Sequence, residues 1–177
     1  MFNISFLEFI KSFWQIMKSL WYVWIIVVVI IGIKVFFRWL EKWLDNRRIK
    51  KWFEKHKKLE DWKTISGREF SKVTAIIYRN LGYKTKVTDK RGDREIDIKG
   101  FKDGKRIFIQ CKNMEKVKPH DIRAFSDALR KLNLKEGEMG IFVTTGEFTK
   151  ECEREAKEAS AKMKLINGIE LEKLAQR

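Results

Sequence analysis

The longest apolar run of the chain lies near its N-terminus, at residues 20–37. These 18 residues contain a single charged side chain, Lys34. As an α-helix the run would be roughly 27 Å long, at about 1.5 Å per residue, which matches the hydrocarbon core of a bilayer. Aromatic residues gather at both ends of the run, as they do at the two membrane interfaces. The pattern predicts a transmembrane helix over residues 20–37 that follows an N-terminal segment, residues 1–19.

Two other interpretations of this run are a cleaved signal peptide and a buried core helix. A signal peptide would end at a cleavage site of small residues, whereas Arg38-Trp39-Leu40-Glu41 follows here. A helix that is apolar on all sides would need more protein around it than a chain of 177 residues offers. We therefore prefer a membrane span.

Basic residues are concentrated on the C-terminal side of the predicted span. Only Lys11 and Lys18 precede the run, whereas nine basic residues lie between positions 38 and 58. An excess of Lys and Arg beside a span marks its cytoplasmic side. We therefore expect a single-pass protein of the cell membrane whose C-terminal part is cytoplasmic.

Residues 38–65 combine helical periodicity with a basic polar side. Their apolar positions recur at spacings of three to five: Leu40, Trp43, Leu44, Ile49, Trp52, Phe53, His56 and Leu59. The pattern predicts a basic amphipathic juxtamembrane helix or linker that lies along the anionic inner leaflet. A plain stalk and a self-association surface stay open as alternatives. We expect His56 to serve in packing.

Residues 66–177 have the pattern of one α/β domain. Ser66 and Glu69 form a capping box that opens a helix ending near Gly82. The remaining elements are strands at 83–88, 95–99, 106–112 and 139–144, a helix from Pro119 to Leu132, a helix from Thr149 to about Met163, and a short last helix after 165–171. The order predicts an α/β sandwich with a small mixed sheet.

Charge narrows the class of partner. The net charge of +15 divides into +7 for residues 1–63, +10 for residues 64–135 and −2 for residues 136–177. A basic middle beside a neutral tail suits a polyanion, either nucleic acid or an anionic lipid surface. The two cysteines, Cys111 and Cys152, are too few for a disulfide framework, which suits a reducing compartment.

The most informative local feature is a predicted hairpin. Asp103-Gly104 lies between two strand patterns and is a strong signal for a two-residue turn. With that turn, Lys102 faces Lys105 and Asp97 faces Gln110. Lys112 would share their sheet face, while Ile107, Ile109 and Cys111 would point into the core.

A carboxylate, an amide and an ammonium on one sheet face suit the metal-assisted hydrolysis of a phosphodiester. Asp97, the Gln110 side-chain oxygen and the backbone carbonyl of Cys111 would be ligands to Mg²⁺ or Mn²⁺. Lys112 would orient the attacking water and balance charge in the transition state. The alternative is a cross-strand surface pair with a solvated lysine.

These residues belong to a larger set of motifs that resembles the Mrr-like restriction endonucleases, part of the D…(D/E/Q)-x-K nuclease superfamily. The resemblance covers residues 66–174. Its motifs, in order, are Gly67-Arg68-Glu69-Phe70, Gly92-Asp93-Arg94-Glu95-Ile96-Asp97, Ile109-Gln110-Cys111-Lys112, Gly140-Ile141-Phe142-Val143-Thr144-Thr145 and Asn167-Gly168.

The resemblance implies a restriction-endonuclease-like αβββαβ core and Mg²⁺-dependent cleavage of DNA. It carries the catalytic aspartate onto Asp97, the Gln-x-Lys pair onto Gln110 and Lys112, and the first-helix carboxylate onto Glu69, which the capping box alone also explains. The family often has Gly-Asp-Gly-Gly-Ile-Asp and a glutamate after the helix-start Phe. Arg94, Glu95 and Ser71 stand in those places here.

Three functions follow from these patterns. The leading hypothesis is a membrane-anchored endonuclease for foreign or modified double-stranded DNA, with a homodimer as a further candidate assembly. The second is an inactive DNA-binding tether of the same fold, and the third is a structural protein that binds anionic lipid. The intact Asp97, Gln110 and Lys112 set favours the first. The basic residues expected near the site favour DNA: Lys84, Lys86, Lys90, Arg91, Lys116, Lys118 and Arg123.

Overall fold

A computed structural model of the chain describes residues 6–88 and 95–177. The chain divides into two compact units, one ending at Asp45 and the other running from Asn46 to Arg177. The boundary between the units falls within one long helix, α2, which is Trp21–Lys55.

The N-terminal unit consists of helices. Helix α1 is Phe6–Ser19, and α2 is Trp21–Lys55, which continues past the end of this unit. Phe9, Phe13 and Trp14 of α1 are all exposed, as are the apolar residues of α2 from Trp21 to Phe37. Among the described helices, α2 alone is long and apolar enough to cross a bilayer, with a mean hydropathy of 2.3 in its most apolar window. Residues 21–37 are therefore helical as expected, while their crossing of a membrane stays a prediction.

The C-terminal unit begins with the last turns of α2 and then α3, Leu59–Lys63. Here the structure corrects one expectation for residues 38–65. Ile49 and Phe53 are buried in the core of this unit together with Trp62, whose indole donates to the His56 carbonyl at 2.9 Å. His56 itself stacks on Trp52. This part of the apolar side is therefore covered by protein and is not available to a lipid surface.

The C-terminal unit is built on a five-stranded sheet in the order β1-β2-β3-β4-β5. The pairs β1–β2 and β2–β3 are antiparallel, whereas β3–β4 and β4–β5 are parallel. The strands are Lys84–Val87, Ile98–Lys102, Lys105–Lys112, Met139–Thr144 and Met163–Ile166. The helices are α4 Gly67–Asn80, α5 Pro119–Lys131, α6 Lys150–Glu158 and α7 Gly168–Ala175. The predicted α/β class with a small mixed sheet is confirmed.

Helices cover both faces of the sheet. One apolar cluster joins α4 and α7 to Ile98, Ile107 and Ile109, and we call this the α4 face. A second cluster joins α5 and α6 to Phe108 and Phe142, and we call this the α5 face. Both faces of β3 are buried because α5 and α6, which connect the parallel strands, cover one face, whereas α4 and α7 cover the other.

The central hairpin has the predicted register. Residues Ile98 to Lys102 pair with Lys105 to Ile109, and Lys102 faces Lys105. Asp103 and Gly104 have φ of 51° and 77°, as a two-residue turn of type I′ requires. The strand predicted at residues 95–99 lies too early in the sequence, however, because β2 begins only at Ile98.

The C-terminal end of the domain differs from the sequence expectation. The helix that Thr149 caps ends at Glu158, and residues 163–166 form a fifth strand beside β4. Ala159, Ser160 and Ala161 carry no strong stop signal for a helix. The pairing of Met163–Ile166 with β4 determines this strand.

Arg106 and Glu138 form an ion pair at the start of β3. Arg106 Nε and Nη2 donate to the two carboxylate oxygens at 2.6 Å each, and the Lys135 backbone N–H donates to the same carboxylate at 2.9 Å. The hydrogen bonds from Arg106, more than any other contact, lower the pKa of Glu138 from 4.5 to about 2. The folded protein therefore binds this proton less tightly than the unfolded chain does.

This depressed pKa predicts a pH dependence of stability. The contribution of Glu138 is complete above pH 4.5 and is lost as the pH falls from 4.5 towards 2. For Glu138→Gln we expect a lower free energy of unfolding at neutral pH and a smaller loss of it on acidification. Urea unfolding of the full-length chain in non-ionic detergent, followed by tryptophan fluorescence across this pH range, measures both. Parallel decline in the two proteins would contradict the prediction.

Candidate active site

A β-bulge at Asp97 begins the site. The Asp97 backbone N–H donates to the Ile109 carbonyl at 2.9 Å, although Ile109 is already the register partner of Ile98. Two successive residues thus face one, which is the defining feature of a bulge. The alternation breaks there: Ile96 belongs to the cluster on the α5 face and Ile98 to the cluster on the α4 face.

The bulge corrects the predicted opposition of Asp97 and Gln110. The regular ladder stops one pair earlier, at Ile98 and Ile109. The Asp97 carboxylate instead reaches along β3, where its Oδ2 accepts from the Cys111 backbone N–H at 2.8 Å. Thr88, at the end of β1, donates its backbone N–H to the Asp97 carbonyl at 2.8 Å. Asp97 is therefore anchored from both neighbouring strands.

Cys111 contributes backbone groups to the site. The N–H and C=O of one strand residue point to the same side, so its carbonyl lies on the side of Asp97, beyond the last β2 pair. Its thiol is buried on the α4 face. Burial, reinforced by the negative charge of Asp97, raises the thiol pKa, although the Thr74 and Ser71 hydroxyls oppose the shift. The thiol is therefore neutral and suits packing rather than metal binding.

Gln110 lies on the α5 face of β3, the opposite side from the Cys111 thiol. Its side chain is buried, with 4% exposed. Its Oε1 has no hydrogen-bond partner among the residues that the structure describes. An unpaired buried acceptor costs about 1–3 kcal/mol. A divalent cation prefers oxygen ligands of this kind, so the orphaned oxygen fits a metal ligand.

Lys112 follows on the same face and makes a contact that the sequence did not predict. Its Nζ lies 3.1 Å from Asp121 Oδ1, in the first turn of α5. Asp121 Oδ2 accepts from the Lys118 backbone N–H at 3.3 Å. The only local signal for Asp121 is its place two residues after Pro119, which is typical of a helix-capping carboxylate. Nothing in the sequence pairs it with Lys112.

Glu69 lies at the start of α4 as expected, and its described contacts are structural. It completes the capping box with Ser66, and its Oε1 lies 3.2 Å from Arg48 Nη2. Ser71, which stands where the family often has glutamate, donates to the Gly67 carbonyl at 2.9 Å. None of these described contacts brings Glu69 to Asp97, Gln110 or Lys112.

The Thr144-Thr145 motif supports the chain that follows Lys112. Thr145 Oγ1 donates to Asn113 Oδ1 at 2.7 Å, and the Asn113 amide donates to the carbonyls of Trp62 and Ile65. Thr144 Oγ1 donates to the Met114 carbonyl at 3.0 Å. The end of β3 is thereby tied to β4 and to the chain before α4.

The basic residues that the sequence assigns to DNA contact differ in their sheet face and in their contacts. Lys84, Lys86, Lys116 and Lys118 are exposed. The register with β2 places Lys84 and Lys86 on the α5 face, with Gln110 and Lys112. Arg123 is exposed but bonded to Glu155 at 2.5 Å. Lys90 and Arg91 lie outside the described residues, as do Gly92, Asp93 and Arg94 of the predicted motif.

The oxygen atoms that this site could offer to a metal ion are one carboxylate, one amide oxygen and one backbone carbonyl. Over residues 6–88 and 95–177 there is no group of three or more His, Cys, Asp or Glu side chains that could hold a metal ion. A divalent cation here would therefore be bound by mixed oxygen ligands and water, as is usual for Mg²⁺. The arrangement suits a site that also takes ligands from a phosphate.

Comparison with known proteins identifies the family of the chain. The family model Mrr_cat, described as restriction endonuclease, matches residues 62–175. No curated protein sequence matches the chain. Among solved structures, MspJI restriction endonuclease in complex with a 27-mer oligonucleotide is 19% identical with a TM-score of 0.42, over 74% of this chain and 30% of that chain. The protein of unknown function AF1548 is 23% identical with a TM-score of 0.42, over 55% and 60%.

This chain thus spans less than two thirds of the length of either structure. The family model, by contrast, covers well over half of this chain, from the end of α3 to the end of α7. The resemblance inferred from the motifs is confirmed: the chain belongs to the Mrr-like restriction endonuclease family.

Proposed function

We propose that this protein is a membrane-anchored, divalent-metal-dependent endonuclease that hydrolyses phosphodiester bonds in double-stranded DNA. One observation carries the proposal. The bulge at Asp97 holds a carboxylate against the backbone of Cys111, next in sequence to the orphaned Oε1 of Gln110. The resemblance to the family assigns its catalytic aspartate to Asp97 and its Gln-x-Lys pair to Gln110 and Lys112, at this point of β3.

The residues present fit Mg²⁺ or Mn²⁺. The Asp97 carboxylate, the Cys111 carbonyl and Gln110 Oε1 would hold the ion. The bound ion would activate water and stabilise the charge that develops on the phosphate. The protein's own part is to hold the ligands rigid and to supply a cation: Lys112 balances negative charge on the attacked phosphate and orients the incoming water.

The test of this function is cleavage of supercoiled plasmid by the purified full-length protein in detergent. We expect nicked and linear products with Mg²⁺ or Mn²⁺ and none with a chelator. The competing function, a DNA-binding tether, is favoured by the contacts that engage Glu69 elsewhere. It predicts plasmid binding without products under any metal. A protein that neither binds nor cuts DNA would contradict both functions.

DNA contact is expected along the α5 face, where Lys84 and Lys86 are exposed. Each lysine that neutralises a phosphate adds about 0.9 to the slope of log affinity against log salt. For the double variant Lys84→Ala/Lys86→Ala we expect a slope shallower by about 2 and weaker binding to every duplex sequence. Fluorescence anisotropy with a labelled duplex over a salt series measures this.

A matched control removes two exposed lysines from the opposite layer. Lys164 is the register partner of Ile141, on the α4 face, and Lys173 lies on α7. Lys164→Ala/Lys173→Ala should keep the wild-type slope. Equal loss in the two double variants would mean that binding follows net charge rather than this face.

Membrane attachment through residues 20–37 is the other part of the proposal. It is supported by the exposed apolar surface of α2 and by the basic residues that follow it. Alkaline carbonate should leave the full-length protein in the membrane pellet. Val28→Lys/Ile30→Lys should release it, because a lysine at the centre of a span costs about 2.5–3.5 kcal/mol. Release of the wild-type protein would rule the anchor out.

The proposed role is restriction of foreign or modified DNA from the cytoplasmic face of the membrane. A homodimer would present one active site to each strand of the duplex, and we include it in the proposal. Sedimentation of the detergent-solubilised protein with and without duplex would show whether two chains assemble on DNA.

A further inference from the structure

The carboxylate of Asp121 serves two partners at once. Its Oδ1 lies 3.1 Å from Lys112 Nζ, and its Oδ2 accepts from the Lys118 backbone N–H at 3.3 Å. The Asp121 side chain is 11% exposed and that of Lys112 is 29% exposed. His120 Nε2 lies 3.6 Å from the same Oδ1 but is itself mostly exposed. Lys112 is therefore the less exposed of the two basic side chains beside Asp121.

Capping does not require a negative charge at this position. An asparagine at the same place in α5 could still accept from the Lys118 backbone N–H, since amide and carboxylate oxygens are both good acceptors. The charge of Asp121 matters to Lys112, whose flexible four-carbon stem otherwise lets the ammonium spread over many rotamers. Helix α5 thus supplies a fixed counter-charge for a lysine on β3.

We propose that Asp121 is a positioning residue for the nuclease reaction: it holds the Lys112 ammonium beside Gln110 and the Asp97 bulge, where the attacked phosphate would lie. The inference rests on the proposed function and deepens it. Asp121 acts through Lys112 and contacts no reacting atom. Its removal should therefore slow the cleavage step and leave DNA affinity unchanged.

The first experiment compares Asp121→Asn with wild type in the full-length protein. Misplacing a reacting group by about 1 Å can cost roughly 10² in rate, so we expect a 10- to 100-fold slower single-turnover cleavage. The duplex dissociation constant should be unchanged. Asp121→Glu keeps the charge and should recover part of the rate. A variant Asp121→Asn that cuts at the wild-type rate would overturn the inference.

A matched control separates positioning from helix capping. Thr149 caps α6 through a bond to the Cys152 backbone N–H and is not assigned to the site. Thr149→Ala should lower the melting temperature at least as much as Asp121→Asn while cleavage stays at the wild-type rate. If the two variants slow cleavage in proportion to their loss of stability, Asp121 is structural only.

A double-mutant cycle tests whether Asp121 acts through Lys112. In a Lys112→Ala background, the further change Asp121→Asn should cost no additional cleavage rate. Residual cleavage at high protein and Mn²⁺ concentrations provides the signal. An equal additional loss in both backgrounds would place the effect of Asp121 elsewhere.

A readout independent of activity reports the contact itself. Acetylation of the folded protein with an amine-reactive ester, read by peptide mass spectrometry, should label Lys112 several-fold faster in Asp121→Asn, while Lys164 is labelled equally. Unchanged labelling of Lys112 would overturn the inference. A wild-type protein that never cuts DNA would instead overturn the nuclease proposal, and the positioning role with it.

Discussion

Asp97→Asn is expected to lose metal binding and at least roughly 10²–10³ in cleavage rate while the domain stays folded. In the native protein the Cys111 backbone N–H donates to Asp97 Oδ2 at 2.8 Å. The amide oxygen of asparagine can still accept this hydrogen bond. The bulge and the β3 contact therefore persist. What disappears is the negative charge that would hold a divalent cation.

Asp97→Ala removes the charge and the acceptor together. It should abolish cleavage as well, and it also leaves the Cys111 backbone N–H without its partner, at a cost of about 1–3 kcal/mol. Comparing the two variants separates chemistry from folding. Calorimetric titration of the full-length protein with Mn²⁺ measures the lost binding, and plasmid cleavage measures the lost rate. Cleavage by Asp97→Asn at the wild-type rate would exclude this site.

Lys112→Ala is expected to reduce cleavage to a small residual rate and to leave duplex affinity nearly intact. One lysine is a small part of a broad basic surface, so binding should change little. The reaction, in contrast, loses the cation that balances the transition-state charge, which commonly costs roughly 10²–10³ in rate. Metal binding should persist, because Lys112 is not a ligand. Anisotropy, Mn²⁺ titration and plasmid cleavage together test the three statements.

Gln110→Glu provides the contrast to Lys112→Ala. It places a full carboxylate where the orphaned Gln110 Oε1 lies. A divalent cation prefers charged oxygen ligands, so metal binding should persist or tighten and cleavage should survive. If the wild-type protein cuts DNA and Lys112→Ala cuts equally fast, the active site lies elsewhere in the chain.

The fold was largely predictable because its signals are local. The type I′ turn at Asp103-Gly104, the capping box at Ser66 and Pro119 at the start of α5 all follow from backbone preferences within a few residues. The motif residues Asp97, Gln110 and Lys112 could be named for the same reason. Their identities and spacing are properties of the chain itself.

Their geometry was only partly predictable. Continued alternation through Ile96, Asp97 and Ile98 implied a regular ladder, yet a bulge turns the Asp97 carboxylate onto the Cys111 N–H. A bulge adds one unpaired residue to a strand. The apolar and polar residues of the sequence alternate here whether or not a bulge is present, so the sequence does not reveal it. The hairpin register alone therefore gave the correct neighbourhood and the wrong partner for Asp97.

The sequence by itself determined the turns, the helix starts, the apolar run and the identity of the motif residues, because each depends on torsional preference or spacing over a few positions. Only the tertiary structure determined the contact of Lys112 with Asp121, the burial of Ile49 and Phe53, and the strand at Met163–Ile166. Each of these joins segments far apart along the chain or on different elements. Packing of the sheet and its helices brings them together, and no local pattern records that packing.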